Sequence, residues 1–142
     1  MSTLNAAISV SASALNAERT RIEVAVSNLA NAESTRGPDG QPYRRRDVVL
    51  AADPQNSFET ALGHAGAVGV KVAGVIEDQT PFKRRYDPSH PDADAEGFVA
   101  LPNIDTPEEM VNMLSASRAY QANLTAIGLI RELVQKSLDL GK

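Results

Sequence analysis

The chain contains no cysteine and no tryptophan. Without thiols it can form no disulfide, no thiolate zinc site and no cysteine nucleophile, and nothing ties it to an oxidising or a reducing compartment. Aromatic residues make up only 4% of its 142 residues, although the hydrophobic fraction, 42%, is ordinary for a globular domain. Much of that apolar content is alanine, valine and leucine, which suit the narrow seam between helices better than a thick core. No apolar run approaches the roughly 20 residues needed to span a bilayer, so no direct lipid anchor is expected. A basic balance is lacking too. The net charge is −4, which offers phosphate backbones and anionic lipids no overall attraction and argues against nucleic acid as a partner. Between Met1 and Glu18 no charged side chain occurs, and this start has neither the basic residues nor the solid apolar block of a cleavable secretion signal.

Glycine and proline are also absent from residues 3 to 32, where Ile8, Leu15, Ile22 and Leu29 recur every seven positions. The spacing predicts one long helix with a thin apolar stripe, since Leu4 and Ala25 fit the alternate positions while Ser11 and Glu18 do not. At 1.5 Å per residue it would run about 45 Å. From Gly37 to Asn103 the texture changes, with seven of the eight prolines and most of the glycines. Long helices are excluded there. Tyr43 to Leu50, Val68 to Ile76, Pro81 to Tyr86 and Phe98 to Leu101 read as strands of a small antiparallel sheet, and residues 52 to 67 as a flexible loop with at most a helical turn.

A second helix begins at Thr106-Pro107-Glu108-Glu109, read as a capping box with Thr106 as the cap and Glu109 three residues later. It would run about 34 residues, to Leu140, with Gly141 as its stop. Its seam, Met110, Met113, Ser117, Tyr120, Leu124, Ile127, Arg131, Val134 and Leu138, is apolar at seven of nine positions. Leu114, Ile130 and Leu133 widen the apolar face, which implies more than one neighbour. The expectation is therefore an α+β chain. Residues 1–36 and 104–142 would pair as an antiparallel coiled coil, and 37–103 would form a β-rich insert with long loops. Asparagines 5, 16, 28, 31, 112 and 123 punctuate the helices, and a buried Asn fixes register between helices.

Chemistry-bearing groups are sparse. His64 and His90 have no serine in a nucleophile setting, so no catalytic triad is read. Asp92, Asp94, Glu96 and Gly97 imitate the opening of an EF-hand calcium loop. The imitation fails at the twelfth position, which is Asn103 in place of a bidentate Glu, and the favoured reading is a polar turn without metal or cofactor. The triplets Arg44-Arg45-Arg46 and Lys83-Arg84-Arg85 lie in strands, where alternate side chains part to opposite faces. They are expected to bond carboxylates of a neighbouring subunit or to blunt a sheet edge. No reaction is indicated. A two-helix stalk presenting a small β domain to a partner would be the alternative of another class.

The words of the sequence carry a resemblance. Ser27-Asn28-Leu29-Ala30-Asn31, closing the first helix, resembles the signature of flagellar rod, hook and hook–filament junction proteins. Gly37 to Arg44, Asp87 to Asn103, Glu108 to Met113 and Ser115 to Asn123 resemble the proximal-rod branch of that axial family, in order along nearly the whole chain. One departure is local, since Glu33 and Ser34 stand where the broader family has Asn and Thr. The resemblance implies a structural subunit exported through the flagellar type III apparatus without cleavage. It would assemble with copies of itself, with other rod subunits and with the ring or adaptor at the rod base, as part of the rod crossing the periplasm. It also implies that the terminal helices pack around the export channel with the middle segment outside. Ile8, Leu15, Ile22, Asn28, Leu29, Asn31, Met110, Met113, Tyr120, Leu124, Ile127, Val134 and Leu138 are the expected helix-packing and assembly residues.

Overall fold

The computed structural model describes residues 2–53 and 68–139, with side chains from residue 4 onward. It is an α+β chain in the order α1 (Ser2–Ala30), β1 (Arg46–Asp53), β2 (Gly69–Glu77), β3 (Lys83–Tyr86), β4 (Phe98–Leu101) and α2 (Thr106–Asp139). The helices are 29 and 34 residues long, or about 44 and 51 Å.

Helix α1 is uninterrupted because nothing in it breaks the backbone ladder, and the pairs Arg19–Glu23 and Glu18–Arg21 add small local support. It stops at Asn31, whose backbone N–H and side-chain Nδ2 both donate to the Ser27 carbonyl, at 3.1 and 2.8 Å. Two donors thus satisfy a carbonyl that the helix end would leave open.

The start of α2 differs from the expected capping box. Asp105 is the cap: its carbonyl accepts the Glu109 N–H at 3.0 Å and its Oδ1 the Glu108 N–H at 3.3 Å. Thr106 and Pro107 are therefore already helical, and the Glu109 side chain is released from capping to point elsewhere. Gly141, the expected stop, lies outside the described residues.

The two helices pack along each other in antiparallel fashion. Asn28, near the end of α1, bonds Glu109 at the start of α2, while Ile8 shares a groove with Val134 and Leu138 at the opposite ends. The most deeply buried apolar positions of the pair are Ala17, Ala25 and Ala116, the last with no exposed surface. Side chains this small allow a close approach of the helix axes. Ile8, Leu15, Ile22 and Leu29 are only half-buried.

The middle segment forms two separate two-stranded ribbons, not the single sheet read from sequence. Strands β1 and β2 pair antiparallel from Arg46↔Glu77 to Asp53↔Gly69, with a bulge on β2 where the register shifts between Val49 and Leu50. Strands β3 and β4 pair from Lys83↔Leu101 to Tyr86↔Phe98. A lone ribbon is marginal in water, and both gain support. The first rests on α1, where Ser13 Oγ accepts the Val70 N–H at 3.1 Å. Gly69 makes that approach possible, since a Cβ there would stand 3.0 Å from Ser13 Oγ. The second buries Val99 completely, stacks Tyr86 edge-on against Phe98 at 5.3 Å, and is tied to the segment leading into α2 by a 2.8 Å bond from Lys83 Nζ to the Ile104 carbonyl. Strand β1 begins three residues later than expected, at Arg46. Of the loop read over residues 52 to 67, Ala52 and Asp53 instead continue β1, paired with Val70 and Gly69, and residues 54 to 67 lie outside the described residues.

Candidate assembly surface and its buried anchor

Helix α2 carries apolar residues on more than the face it turns to α1. Glu109, Met113, Ala116, Tyr120, Ile127 and Val134 fall on the buried or half-buried side. Met110, Leu114 and Leu124 form one outward stripe, and Val111, Leu129 and Leu133 another, each of these side chains at least half exposed. Arg118, Gln121 and Thr125 are interspersed. The single seam read from sequence thus divides, with Met113, Tyr120, Ile127 and Val134 turned inward and Met110 and Leu124 outward, while Leu138, though exposed, lines the groove it shares with Ile8. The outward face of α1 is different in kind, made of Asn5, Ser9, Ala12, Asn16, Arg19 and Glu23 with only Val26 large and apolar.

Beneath the α1–α2 junction lies the most elaborate polar cluster among the described residues. Asn28 is 1% exposed, and its carboxamide is fully used. Nδ2 donates to the Arg46 carbonyl at 2.8 Å and to Glu109 Oε2 at 3.1 Å, while Oδ1 accepts from the Arg46 N–H at 3.0 Å and from the Tyr43 hydroxyl at 3.1 Å. A primary amide has two donors and two acceptor sites, so none is left over. The paired bonds to Arg46 imitate those between antiparallel strands, so Asn28 covers the open edge of β1 where a further strand would otherwise pair. The other oxygen of Glu109 accepts from Arg45 Nε, and Arg45 also reaches Asp47 at 2.9 Å and Glu108 at 3.8 Å. Burial works against the Arg45 charge. The bond to Glu109 and the fields of Asp47, Glu109 and Glu108 outweigh it and hold its pKa above the ordinary value. A cleft of about 170 Å³ lined by Arg21, Ala25, Asn28, Arg46, Glu109 and Asn112 opens beside this cluster.

Sequence reasoning placed Asn28 on the seam but missed its partners. Arg45 and Glu109 were assigned to a charge triplet and a cap, and Tyr43 to a strand; no pattern in the chain links positions so far apart. Asn31 and Asn123 bond carbonyls of their own helices, Ser27 and Ala119, and Asn5 and Asn16 are exposed.

The basic triplets, expected to bond carboxylates of a neighbouring subunit or to blunt a sheet edge, also meet partners within the chain. Arg46 pairs with Glu77, Arg44 bonds the Asp78 and Thr80 carbonyls and lies 4.5 Å from the Phe82 ring centre, Arg84 pairs with Asp94 and Glu96, and Arg85 with Glu33. The calcium-like loop consumes its own carboxylates. Asp94 Oδ1 accepts the Glu96 and Phe98 N–H groups, Asp92 holds Thr35 and Arg36, and Asp87 holds Ser89. Among the described residues no three His, Asp or Glu side chains converge on a metal position, and no helix is long and apolar enough to cross a membrane.

Comparison with known proteins matches both ends of this architecture. The family described as flagella basal body rod protein matches residues 8–38, and the flagellar basal body rod FlgEFG protein C-terminal family matches residues 95–140. The flagellar basal-body rod protein FlgC of Salmonella typhimurium is 50% identical over 133 residues, covering 94% of each chain. FlgC of Yersinia enterocolitica is 44% identical over the full length of both, and that of Bacillus subtilis 43% identical over 95% of this chain and 96% of its own. The two matched segments take in α1 from Ile8 onward with its closing signature, and α2 preceded by β4, so that they cover most of the helix pair. The chain belongs to the FlgC family of flagellar basal-body rod proteins, and is a structural subunit of the rod and not an enzyme.

Proposed function

We propose that this subunit polymerises with copies of itself and with other rod subunits through the outward faces of its terminal helices. The helix pair, residues 1–36 with 104–142, is the assembling core, and residues 37–103 form the insert that packs outside it. The observation that carries this reading is the pair of apolar stripes on α2, Met110–Leu114–Leu124 and Val111–Leu129–Leu133, which the chain leaves uncovered. An apolar face of this extent marks a site of association. Burying the exposed part of each leucine would contribute about 1 kcal/mol, and the contact repeats at every subunit, so stiffness arises from many small contacts. In this reading the chain enters the rod through the flagellar type III export apparatus. It crosses the periplasm as part of the rod and meets the ring or adaptor at the base.

The test is Leu124→Asp and Leu129→Asp in a motile host lacking its own copy. Both variants are expected to be exported at normal levels and to abolish rod assembly and swimming, because each places an unpaired carboxylate in a subunit contact. Swimming at wild-type speed in both would overturn the assignment of this face.

A further inference from the structure

We propose that the Asn28–Glu109–Arg45–Tyr43 cluster is a three-way latch that makes pairing of the terminal helices conditional on the docking of residues 43–46. This rests on the reading of the helix pair as the assembling core only for its biological purpose, because the latch itself is a property of the single chain.

The geometry assigns each segment a part that the other two complete. Helix α1 supplies one amide, the strand segment supplies a hydroxyl, a backbone N–H, a backbone carbonyl and a guanidinium, and α2 supplies one carboxylate. If the helices met without the strand segment, Asn28 would keep a single partner and Oδ1 would accept nothing. Glu109, whose side chain is 3% exposed in the closed cluster, would lose its cation. Helices paired without the strand would have to leave that carboxylate open to water or hold it buried without its cation, and the second is among the costlier states a fold can hold. If instead α1 and the strand met without α2, one Asn28 donor would be free and Arg45 would fall back on Asp47. The penalty therefore falls mainly on helices paired without the strand.

The arrangement has a consequence along the helices. The latch sits at one end of the pair, while the other end opens into the groove of about 640 Å³ between Asn5, Ile8, Val134 and Leu138. Between them the fully buried apolar positions are alanines, which bury little area, flanked by half-buried Leu15, Ile22, Met113, Tyr120 and Ile127. Register over this length is fixed at the latch, so a change confined to the strand segment should be felt in the helices.

The experiment is amide hydrogen exchange on the full chain. Arg45→Met removes the cation from the strand side and leaves both helices chemically intact. It is expected to accelerate exchange in α1 residues 15–30 and α2 residues 106–120 by about 10- to 100-fold. Arg45→Met combined with Glu109→Leu removes both charges and is expected to return most of that protection. Tyr43→Phe deletes one hydroxyl without volume, keeps the chain folded even where Arg45→Met does not, and is expected to accelerate the same helical amides by about 3- to 10-fold. Arg44→Met, on the same segment but outside the cluster, is the control and should leave the helices unchanged. Unchanged helix exchange in Tyr43→Phe, or additive losses in the Arg45–Glu109 pair, would overturn the latch. The measurement is made on the unassembled chain, so either result stands whatever the role of the outward α2 face.

Discussion

Replacing Ala116 with leucine isolates how the helices approach. Ala116 has no exposed surface and lies two turns beyond Glu109 on the same side of α2. Leucine adds three carbons, and if the helices could part to admit them the gain would be about 0.8 kcal/mol per carbon, roughly 2 kcal/mol in all. Parting is opposed on two sides. The Asn28–Glu109 bond at 3.1 Å pins the pair two turns away, and Ala17 and Ala25, buried to 2% and 4% exposure on α1, would gain exposure if the helices moved apart. Steric cost should therefore win, as overpacking of a filled contact does, with a net loss of about 1–3 kcal/mol. For a chain of this size that corresponds to a fall in Tm of roughly 3 °C per kcal/mol. Thermal and urea unfolding followed by far-UV circular dichroism would read it, with Ala122→Leu on the exposed side of α2 as the control expected to lie within about 0.5 kcal/mol of wild type. An Ala116→Leu chain as stable as wild type would show that the helices are not held at alanine distance, and would refute the packing described above.

Two further outcomes follow from the acidic turn between β3 and β4. Gly97 adopts φ +83°, and a Cβ there would lie 3.0 Å from Tyr86 Cε2 and 3.1 Å from the Pro88 Cβ, so Gly97→Ala should destabilise by about 1–2 kcal/mol, measured by the same unfolding curves. The Asp94 carboxyl is held below its ordinary pKa by the Phe98 N–H, with help from Arg84 and the Glu96 N–H. A depressed carboxylate contributes stability that is present above its unfolded value and is lost as pH falls through the folded one, so Asp94→Asn should flatten the loss of stability below about pH 4; an unchanged acid limb would contradict that role.

The long elements were legible because each carries a redundant local signal. Helix α1 lacks breakers over its whole length, α2 has acidic residues and a proline at its start, and the valine alternation of Val68, Val70 and Val72 marks β2. What was not legible arises from relations between distant residues. The most deeply buried apolar positions of the helices are Ala17, Ala25 and Ala116, and alanine so abundant in both helices gives no periodic signal of its own. The heptad of Ile8, Leu15, Ile22 and Leu29 marks a half-buried stripe, less deeply covered than the alanines beside it. Displacement of the cap from Thr106 to Asp105 turned Glu109 from a local capping group into a partner of Asn28, because a shift of one residue moves a side chain about 100° around a helix. The split into two ribbons follows from α1 and the approach to α2 offering separate supports, which no strand pattern encodes.

Cryo-electron microscopy of the rod built with this chain tests the central claim most directly, by showing what covers α2. Leu124, Leu129 and Leu133 are expected to lose most of their exposed surface against helices of neighbouring subunits, with the Asn28–Glu109–Arg45 cluster unchanged inside each subunit. A rod in which those leucines face solvent and subunits meet only through the β1–β2 and β3–β4 ribbons would contradict it.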